Sequence, residues 1–198
     1  MVGIIDYGVG NLLSVCNALE FLGIPHKITA DPDELGTFDR LILPGVGAFP
    51  YAMNELDRRG LTPAIKDAAP KVPFLGICLG MQLLFEVGYE FEMREGLGLI
   101  PGKIDRIPDS GLRIPHIGWN GLDFKADSPL LDGLTDGDYC YFVHSYMAFA
   151  DSKYVSASVD YGVAVPALVQ NGNIFGTQFH PEKSSRVGLK MLGNFGGL

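Results

Sequence analysis

One cysteine in the sequence has the surroundings of a catalytic nucleophile. Cys78 stands in the middle of GICLG (76–80), between an apolar, strand-like run and a helical run. Glycines two residues before and two residues after a nucleophile mark the sharp strand-to-helix turn called a nucleophile elbow, here with cysteine in the place of serine. The glycines are needed because the turn strains the backbone and leaves no space for side chains at its flanks. The start of a helix also favours negative charge, so we expect a reactive thiolate at Cys78 rather than an inert, buried cysteine.

A thiol nucleophile needs a base that takes its proton and a third group that orients the base. His180 is the best candidate of the four histidines, because TQFHPE (177–182) leaves a strand and turns at a proline, with Glu182 two residues on. Such a turn places the two side chains together at the carboxyl edge of a sheet, where Glu182 holds the imidazole tautomer. The alternative is a surface turn that caps the final helix. With the elbow present, we predict a triad of Cys78, His180 and Glu182.

The other three histidines have weaker claims on the site. His26 follows a proline in a predicted strand and has no acidic neighbour, so we expect it to be structural or at the surface. His116 is expected to pack or to hydrogen-bond near the site. His144 alternates with apolar residues in YFVHSY (141–146), a pattern that fits either side of a strand.

A glycine-rich loop after the third predicted strand suits the stabilisation of an oxyanion. The glycines of PGVGAF (44–49) allow the backbone to turn an N–H group toward a developing negative charge. We therefore predict an oxyanion hole built by Gly45, Val46 and the N–H of Leu79, the residue after the nucleophile. On its own, the loop also fits an ordinary tight turn between a strand and a helix.

Composition and charge argue against several other classes of function. Fifteen Lys and Arg against 23 Asp and Glu give a net charge of −8 without a basic stripe, so nucleic acid is not an expected partner. GVGN (8–11) lacks the third glycine of a dinucleotide-binding fingerprint, and the histidines and cysteines have no zinc-ligand spacing. We therefore expect no metal and no other cofactor.

The chain is also expected to be a cytoplasmic protein that does not bind to a membrane. Gly, Pro and charged residues interrupt every apolar run well before the roughly 18 residues that a membrane span needs. The N-terminus has no signal-peptide pattern, and three cysteines without a CxxC pair fit a reducing compartment.

The elements that must position these residues alternate in the first half of the chain and change character in the second. Strand-like runs at 2–6, 25–29, 40–43 and 73–77 alternate with amphipathic segments, and helices are predicted at 11–22 and 81–87. Later strand-like runs lie at 102–107, 112–117, 139–149, 154–159, 166–170 and 173–179, before a final helix at 184–195. This order predicts an α/β fold with a mixed, mostly parallel sheet. With 198 residues and no linker, we expect a single domain, 1–198.

Several motifs together resemble a known family. PGVG (44–47), GICLGMQ (76–82) and QFHPE (178–182) resemble the class I (triad) glutamine amidotransferases. DYGVGN (6–11) and further motifs are similar to those of the glutaminase subunits of imidazole glycerol phosphate synthases; these are GLGLIPGKI (96–104), PHIGWN (115–120), YFVHSY (141–146) and GTQFHPEKS (176–184). The likeness spans the whole length, although Ile117 replaces a methionine and residues 87–95 follow the family loosely.

The resemblance implies a flavodoxin-like three-layer sandwich whose triad hydrolyses glutamine through a thioester and releases ammonia. It implies glutamine binding by Gly47, Gln82, Glu90, Ser145 and Tyr146. Positions that match the family's subunit junction are Asn11, Trp119, Tyr141 and Lys183.

The resemblance also implies a heterodimer with a (β/α)8-barrel cyclase subunit. That partner would use the ammonia to make imidazole glycerol phosphate and AICAR in histidine biosynthesis. Three alternatives stay open at this point. They are an amidotransferase that feeds another acceptor, such as those for anthranilate or pyridoxal phosphate, a stress-response cysteine hydrolase of the same fold, and a non-catalytic scaffold, against which the complete triad argues.

Overall fold

The computed structural model describes residues 1–198, which form fourteen β-strands and five α-helices. The strands are β1 Val2–Ile5, β2 His26–Thr29, β3 Arg40–Gly45, β4 Phe74–Cys78, β5 Phe85–Gly88, β6 Arg94–Glu95, β7 Ile100–Arg106, β8 His116–Gly121, β9 Asp123–Phe124, β10 Tyr139–His144, β11 Tyr146–Phe149, β12 Val155–Asp160, β13 Ala164–Asn171 and β14 Ile174–Thr177. The helices are α1 Leu12–Phe21, α2 Phe49–Arg58, α3 Leu61–Ala68, α4 Leu79–Leu83 and α5 Ser185–Gly197. None of these helices is long and apolar enough to cross a membrane.

Eight strands form the central sheet in the order β2-β1-β3-β4-β14-β13-β12-β9. The first five are mutually parallel, and the last three join the sheet through antiparallel pairs. β4 lies in the middle, where Gly45 of β3 pairs with Cys78 and Thr177 of β14 pairs with Ile77. The carboxyl ends of these three strands therefore meet at one edge of the sheet, where ligands bind in open α/β sheets.

The sheet is covered on both faces because its strands are buried on both sides. Neighbouring residues of β1, Ile4 and Ile5, belong to two different hydrophobic clusters. The cluster around Ile4 includes the apolar faces of α1 and α5, and the cluster around Ile5 includes those of α2 and α3. Helices on both faces of a mostly parallel sheet confirm the predicted three-layer α/β fold.

Two smaller sheets complete the strand-rich second half. β10 and β8 form an antiparallel ribbon, and β11, β7, β5 and β6 form a four-stranded sheet in that order. The predicted single run at 139–149 is thus two strands in two sheets, separated only by Ser145. The ribbon places His116 opposite His144 and Trp119 opposite Tyr141.

The helix predicted at 81–87 is confirmed only as far as Leu83, and the prediction is wrong for the rest of the segment. The helix α4 ends at Leu83, and Phe85–Gly88 is strand β5, which pairs with β7 in parallel and with β6 in antiparallel orientation. An apolar run cannot by itself distinguish a buried helix from a buried strand, and here the pairing with later strands decides the outcome. The predicted strand at 112–117 also begins later, at His116, whereas the helices predicted at 11–22 and 184–195 are confirmed as α1 and α5.

Candidate active site

The nucleophile elbow has the strained backbone that the sequence predicts. Cys78 ends β4 and precedes α4 with φ 56° and ψ −111°, a conformation that non-glycine residues rarely adopt. A Cβ atom on Gly80 would lie 1.8 Å from the carbonyl oxygen of Leu43, and one on Gly76 would lie 2.6 Å from the carbonyl oxygen of Gly80. Both flanking positions therefore accept only glycine. Because Gly76 and Gly80 have no side chains, α4 can begin directly against the sheet.

The structure brings His180 and Glu182 together beside Cys78. The Nδ1 atom of His180 lies 2.8 Å from Oε1 of Glu182, and their side chains are only 3% and 1% exposed. The backbone N–H of His180 donates to the carbonyl oxygen of Tyr141 at 3.1 Å, which ties the turn to the ribbon. Because Glu182 engages Nδ1, the Nε2 atom of His180 is the ring nitrogen available to Cys78.

The groups that contact His180 raise its pKa by more than burial lowers it. Burial alone lowers the pKa of His180, but contact with Cys78 and with the Glu182 carboxylate raises that pKa to about 10. His180 thus holds a proton at neutral pH. A protonated imidazole beside a sulfur is the arrangement that activates cysteine nucleophiles.

The three predicted oxyanion residues lie at the same edge of the sheet. Gly45 ends β3 opposite Cys78, Val46 is 40% exposed at the following loop, and Leu79 opens α4. A Cβ atom on Gly45 would lie 2.7 Å from the backbone nitrogen of Gly80, so this position also needs glycine.

The five predicted glutamine-binding residues line one cleft of about 440 Å³ with Cys78. Its wall consists of Val46, Gly47, Cys78, Leu79, Gln82, Glu90, Pro115, Val143, His144, Ser145, Tyr146, His180 and Lys183. This size suits a small-molecule ligand. The predicted nucleophile, the predicted base and the predicted substrate contacts therefore line one cleft.

Glu90 reaches this cleft although it lies on the loop that departs from the family pattern. Its Oε2 atom accepts a hydrogen bond of 2.8 Å from the backbone N–H of Phe49 at the start of α2. Burial raises the pKa of Glu90, and the Phe49 N–H opposes that shift. A carboxylate held in this way can accept from the ammonium group of an amino acid.

A buried pair of histidines supports the wall of the cleft. The His116 ring stacks between Phe142 and Tyr161, at centroid distances of 4.9 and 3.9 Å. His116 Nδ1 lies 3.0 Å from His144 Nε2, and His144 Nδ1 lies 2.8 Å from the carbonyl oxygen of Tyr146. Because a carbonyl only accepts, His144 Nδ1 carries its proton and His144 Nε2 accepts from His116.

Sequence reasoning missed the importance of this pair and of Gln178. Gln178 is fully buried, and its side-chain amide contacts both Gln82 and Cys78. The register between the ribbon strands, which joins residues 28 apart along the chain, is the only signal that could have paired the two histidines.

The buried histidine pair predicts a loss of stability in mild acid. Burial lowers the pKa of His144 to about 4, against an ordinary value of 6.5, with smaller contributions from His116 and His180. Between these pH values His144 binds a proton in the unfolded chain but stays neutral in the folded chain. Protonation therefore stabilises the unfolded state, and the free energy of unfolding falls as the pH is lowered from 6.5 to about 4. Denaturant titrations across this range should show a smaller fall for His144→Gln than for the wild type. His26→Gln, at the part-exposed histidine, is the control and should match the wild type, whereas equal falls in all three proteins would contradict the assignment.

The four predicted junction residues lie on three parts of the structure: the ribbon, the turn beside the cleft and the start of α1. Trp119 is 51% exposed and lies across the ribbon from Tyr141, with 6.0 Å between the ring centroids. Lys183 is exposed at the cleft, and Asn11 precedes α1, which contacts the turn at 181–183. The structure therefore places the exposed Trp119 and the half-buried Tyr141 on the ribbon that also anchors His180.

Comparison with known proteins agrees with this geometry. The sequence model for "Glutamine amidotransferase class-I" matches residues 4–196. The chain is 49% identical to a protein of Listeria monocytogenes serotype 4a (strain HCC23) named "Imidazole glycerol phosphate synthase subunit HisH", over 98% of this chain and 94% of that one. It is 51% identical to a protein of the same name from Caldanaerobacter subterraneus subsp. tengcongensis, over 99% of this chain and 97% of that one.

Solved structures show the same fold at low sequence identity. A structure of PurLQS from Thermotoga maritima is 22% identical, covers 98% of this chain and 96% of its own, and has a TM-score of 0.76. A crystal structure of a glutamine amidotransferase is 20% identical, covers 100% of this chain and 99% of its own, and has a TM-score of 0.77. The match of the family model over nearly the whole chain, together with the full-length relatives, shows that this chain belongs to the class I glutamine amidotransferase family.

Proposed function

We propose that this chain, acting as one domain over residues 1–198, hydrolyses glutamine to glutamate and ammonia and supplies the ammonia to an imidazole glycerol phosphate synthase. One observation carries the hydrolytic part. Cys78 occupies a strained elbow beside the buried His180–Glu182 pair, at a cleft lined by Gln82 and Glu90. The full-length relatives named as synthase subunits support the assignment to that synthase.

Hydrolysis begins when the Cys78 sulfur attacks the side-chain carbonyl carbon of glutamine. The carbonyl oxygen becomes an oxyanion, which N–H groups of the segment Gly45–Val46 and of Leu79 stabilise; one such donor is typically worth about 3 kcal/mol. As the carbon–nitrogen bond breaks, His180 Nε2 gives its proton to the departing nitrogen, which leaves as ammonia. The product is a thioester between Cys78 and the glutamyl group.

Water completes the cycle by hydrolysing the thioester. His180, now neutral, takes a proton from the attacking water through the same Nε2 atom. The carbon–sulfur bond breaks, glutamate leaves, and the sulfur regains its negative charge beside protonated His180. Glu182 holds the Nδ1 proton throughout, so the ring keeps one orientation in both half-reactions.

The remaining cleft residues bind the amino-acid end of glutamine in this proposal. Glu90 accepts from the substrate ammonium, and the backbone of Gly47, Ser145 and Tyr146 provides neutral polar contacts. All four line the same cleft as Cys78. Their positions on different elements give the site its selectivity, because only a ligand of the right length reaches both the carboxylate and the nucleophile.

The partner in this proposal is a (β/α)8-barrel cyclase subunit that uses the ammonia to form imidazole glycerol phosphate and AICAR. In this proposal it contacts Lys183 at the cleft, the half-exposed Trp119 and its ribbon partner Tyr141, and Asn11 at the start of α1. Large aromatic side chains with a polar edge are the residues that most often anchor such interfaces.

Ammonia release from glutamine tests both parts of the proposal. We expect slow release by the chain alone and release faster by at least about tenfold after addition of a barrel subunit and its nucleotide. Trp119→Ala should reduce this stimulation without changing the rate of the isolated chain, since a truncated interface anchor typically costs about 2 kcal/mol of binding.

Tyr51→Ala is the matched control, because Tyr51 is 59% exposed on α2 and lies outside the proposed junction. It should be stimulated like the wild type. Full activity of the isolated chain would contradict the dependence on a partner. Co-purification with a different synthase would indicate that the ammonia goes to another acceptor, and it would leave the proposed hydrolysis of glutamine unaffected.

A further inference from the structure

We propose that Gln178 is a positioning residue, whose buried amide holds the Cys78 sulfur and the Gln82 side chain in the arrangement that hydrolysis requires. Gln178 has no exposed surface. Its Nε2 atom lies 4.0 Å from the Cys78 sulfur, and its Oε1 atom accepts a hydrogen bond of 3.0 Å from Gln82 Nε2. The inference rests on the proposed glutaminase function and deepens it.

The carbonyl oxygen of Tyr146, which can only accept, fixes the direction of the hydrogen bonds between Gln82, Gln178 and Cys78. The carbonyl oxygen of Tyr146 takes hydrogen bonds from His144 Nδ1 at 2.8 Å and from Gln82 Nε2 at 3.2 Å. Gln82 must therefore turn its NH₂ group toward Tyr146, and the same NH₂ group reaches Gln178. Gln178 must then present its oxygen to Gln82, which leaves its NH₂ group facing Cys78. The chain of contacts thus delivers an N–H donor to the nucleophile.

A donor at this position does two things for the sulfur. It favours the negatively charged form, because an N–H group aimed at an anion stabilises it most where water is excluded. It also limits the rotation of the Cys78 side chain, which the elbow alone does not fix. Protonated His180 also favours the anionic sulfur, but it cannot be a fixed donor, because its Nε2 proton moves during the reaction.

The same amide also determines which atom of Gln82 faces the substrate. Both N–H groups of Gln82 are used within the protein, by Tyr146 and by Gln178. Its Oε1 atom has no hydrogen-bond partner within the protein, although Gln82 lines the cleft. Gln178 therefore holds Gln82 so that it accepts from an N–H group of the substrate.

Two substitutions separate the two contacts. Gln178→Glu keeps an acceptor for Gln82 but replaces the donor at the sulfur with a carboxylate. Gln178→Met has nearly the same length and removes both contacts without adding charge. Gln170→Glu is the matched control, because Gln170 lies on β13 and donates only to the carbonyl oxygen of Gly172.

The first measurement is the rate of Cys78 alkylation by iodoacetamide as a function of pH, with the labelled residue identified by mass spectrometry in a Cys16→Ala background. We expect the midpoint of the pH profile to rise by about one unit or more in Gln178→Glu, because a nearby negative charge opposes ionisation of the thiol. Gln178→Met should raise it less, and Gln170→Glu should leave it unchanged.

The second measurement is glutamine hydrolysis in the complex. Gln178→Glu should lower kcat at least about tenfold with a smaller change in KM, whereas Gln178→Met should also raise KM, since Gln82 is no longer held. Folded variants with the wild-type alkylation midpoint and kcat would overturn the inference, even if their melting temperatures were lower. If the Glu variant does not fold, the Met variant decides by the same two criteria. Wild-type chain that labels normally but never hydrolyses glutamine would instead contradict the proposed function.

Discussion

Replacing Cys78 by alanine is expected to reduce glutamine hydrolysis by about 10⁴-fold or more while leaving the fold unchanged. The loss is large because no thioester can form without the sulfur, and the residual rate would come only from binding and oxyanion stabilisation. The fold is preserved because alanine keeps the Cβ atom that Cys78 already accommodates at φ 56°. Ammonia release in the complex measures the activity, and thermal unfolding with circular dichroism measures the fold.

The other two cysteines provide the control for this variant. Cys16 is partly buried at the edge of the hydrophobic cluster that includes α1, and Cys140 is fully buried on β10. Cys16→Ala should keep wild-type hydrolysis, and labelling of the wild type by a glutamine-mimicking alkylator should occur at Cys78 alone. A Cys78→Ala protein that retains more than a tenth of the activity would exclude the covalent route.

Replacing Gly188 by alanine is expected to damage both stability and activity. A Cβ atom at Gly188 would lie 1.9 Å from the carbonyl oxygen of Pro181 and 2.6 Å from its carbonyl carbon. Backbone atoms cannot swing aside as a flexible side chain can, so α5 or the turn between His180 and Glu182 must shift. We expect a loss of about 3 kcal/mol in the free energy of unfolding, by denaturant titration, and a fall in hydrolysis as the His180–Glu182 contact is displaced.

Gly193→Ala in the same helix is the matched control for Gly188→Ala. A Cβ atom at Gly193 meets nothing within 4 Å. Alanine is a better helix former than glycine by about 1 kcal/mol, so this variant should be slightly more stable than the wild type and equally active. If both variants were equally destabilised, the close approach of α5 to the turn at Pro181 would not be the cause.

The parts of the site that the sequence revealed are those whose chemistry is local. The elbow is visible around Cys78 because the glycines, the preceding strand and the following helix lie within one short segment. The His180–Glu182 turn is visible for the same reason, since a proline separates the two residues. In both cases, the residue types within a short segment were sufficient to predict the local structure.

The parts that were missed depend on contacts between distant segments. Phe85–Gly88 looked helical because it continues the apolar run of α4, and only its pairing with β7 makes it a strand. The contact between Gln178 and Cys78 joins residues 100 positions apart. Gln178 belongs to the QFHPE motif, but nothing in the neighbouring sequence indicates that its side chain is buried against Cys78.

The order of strands in the central sheet determines when the site can form during synthesis and folding of the chain. β14 is synthesised long after β4, yet it lies in the interior of the sheet, between β4 and β13. Until it inserts, β4 ends in an elbow that lacks His180, and it presents unpaired backbone groups along one edge. Pairing across so long a stretch of chain is slow compared with local folding. A nascent chain therefore carries Cys78 long before it has His180, and the proposed triad is complete only when β14 has joined the sheet.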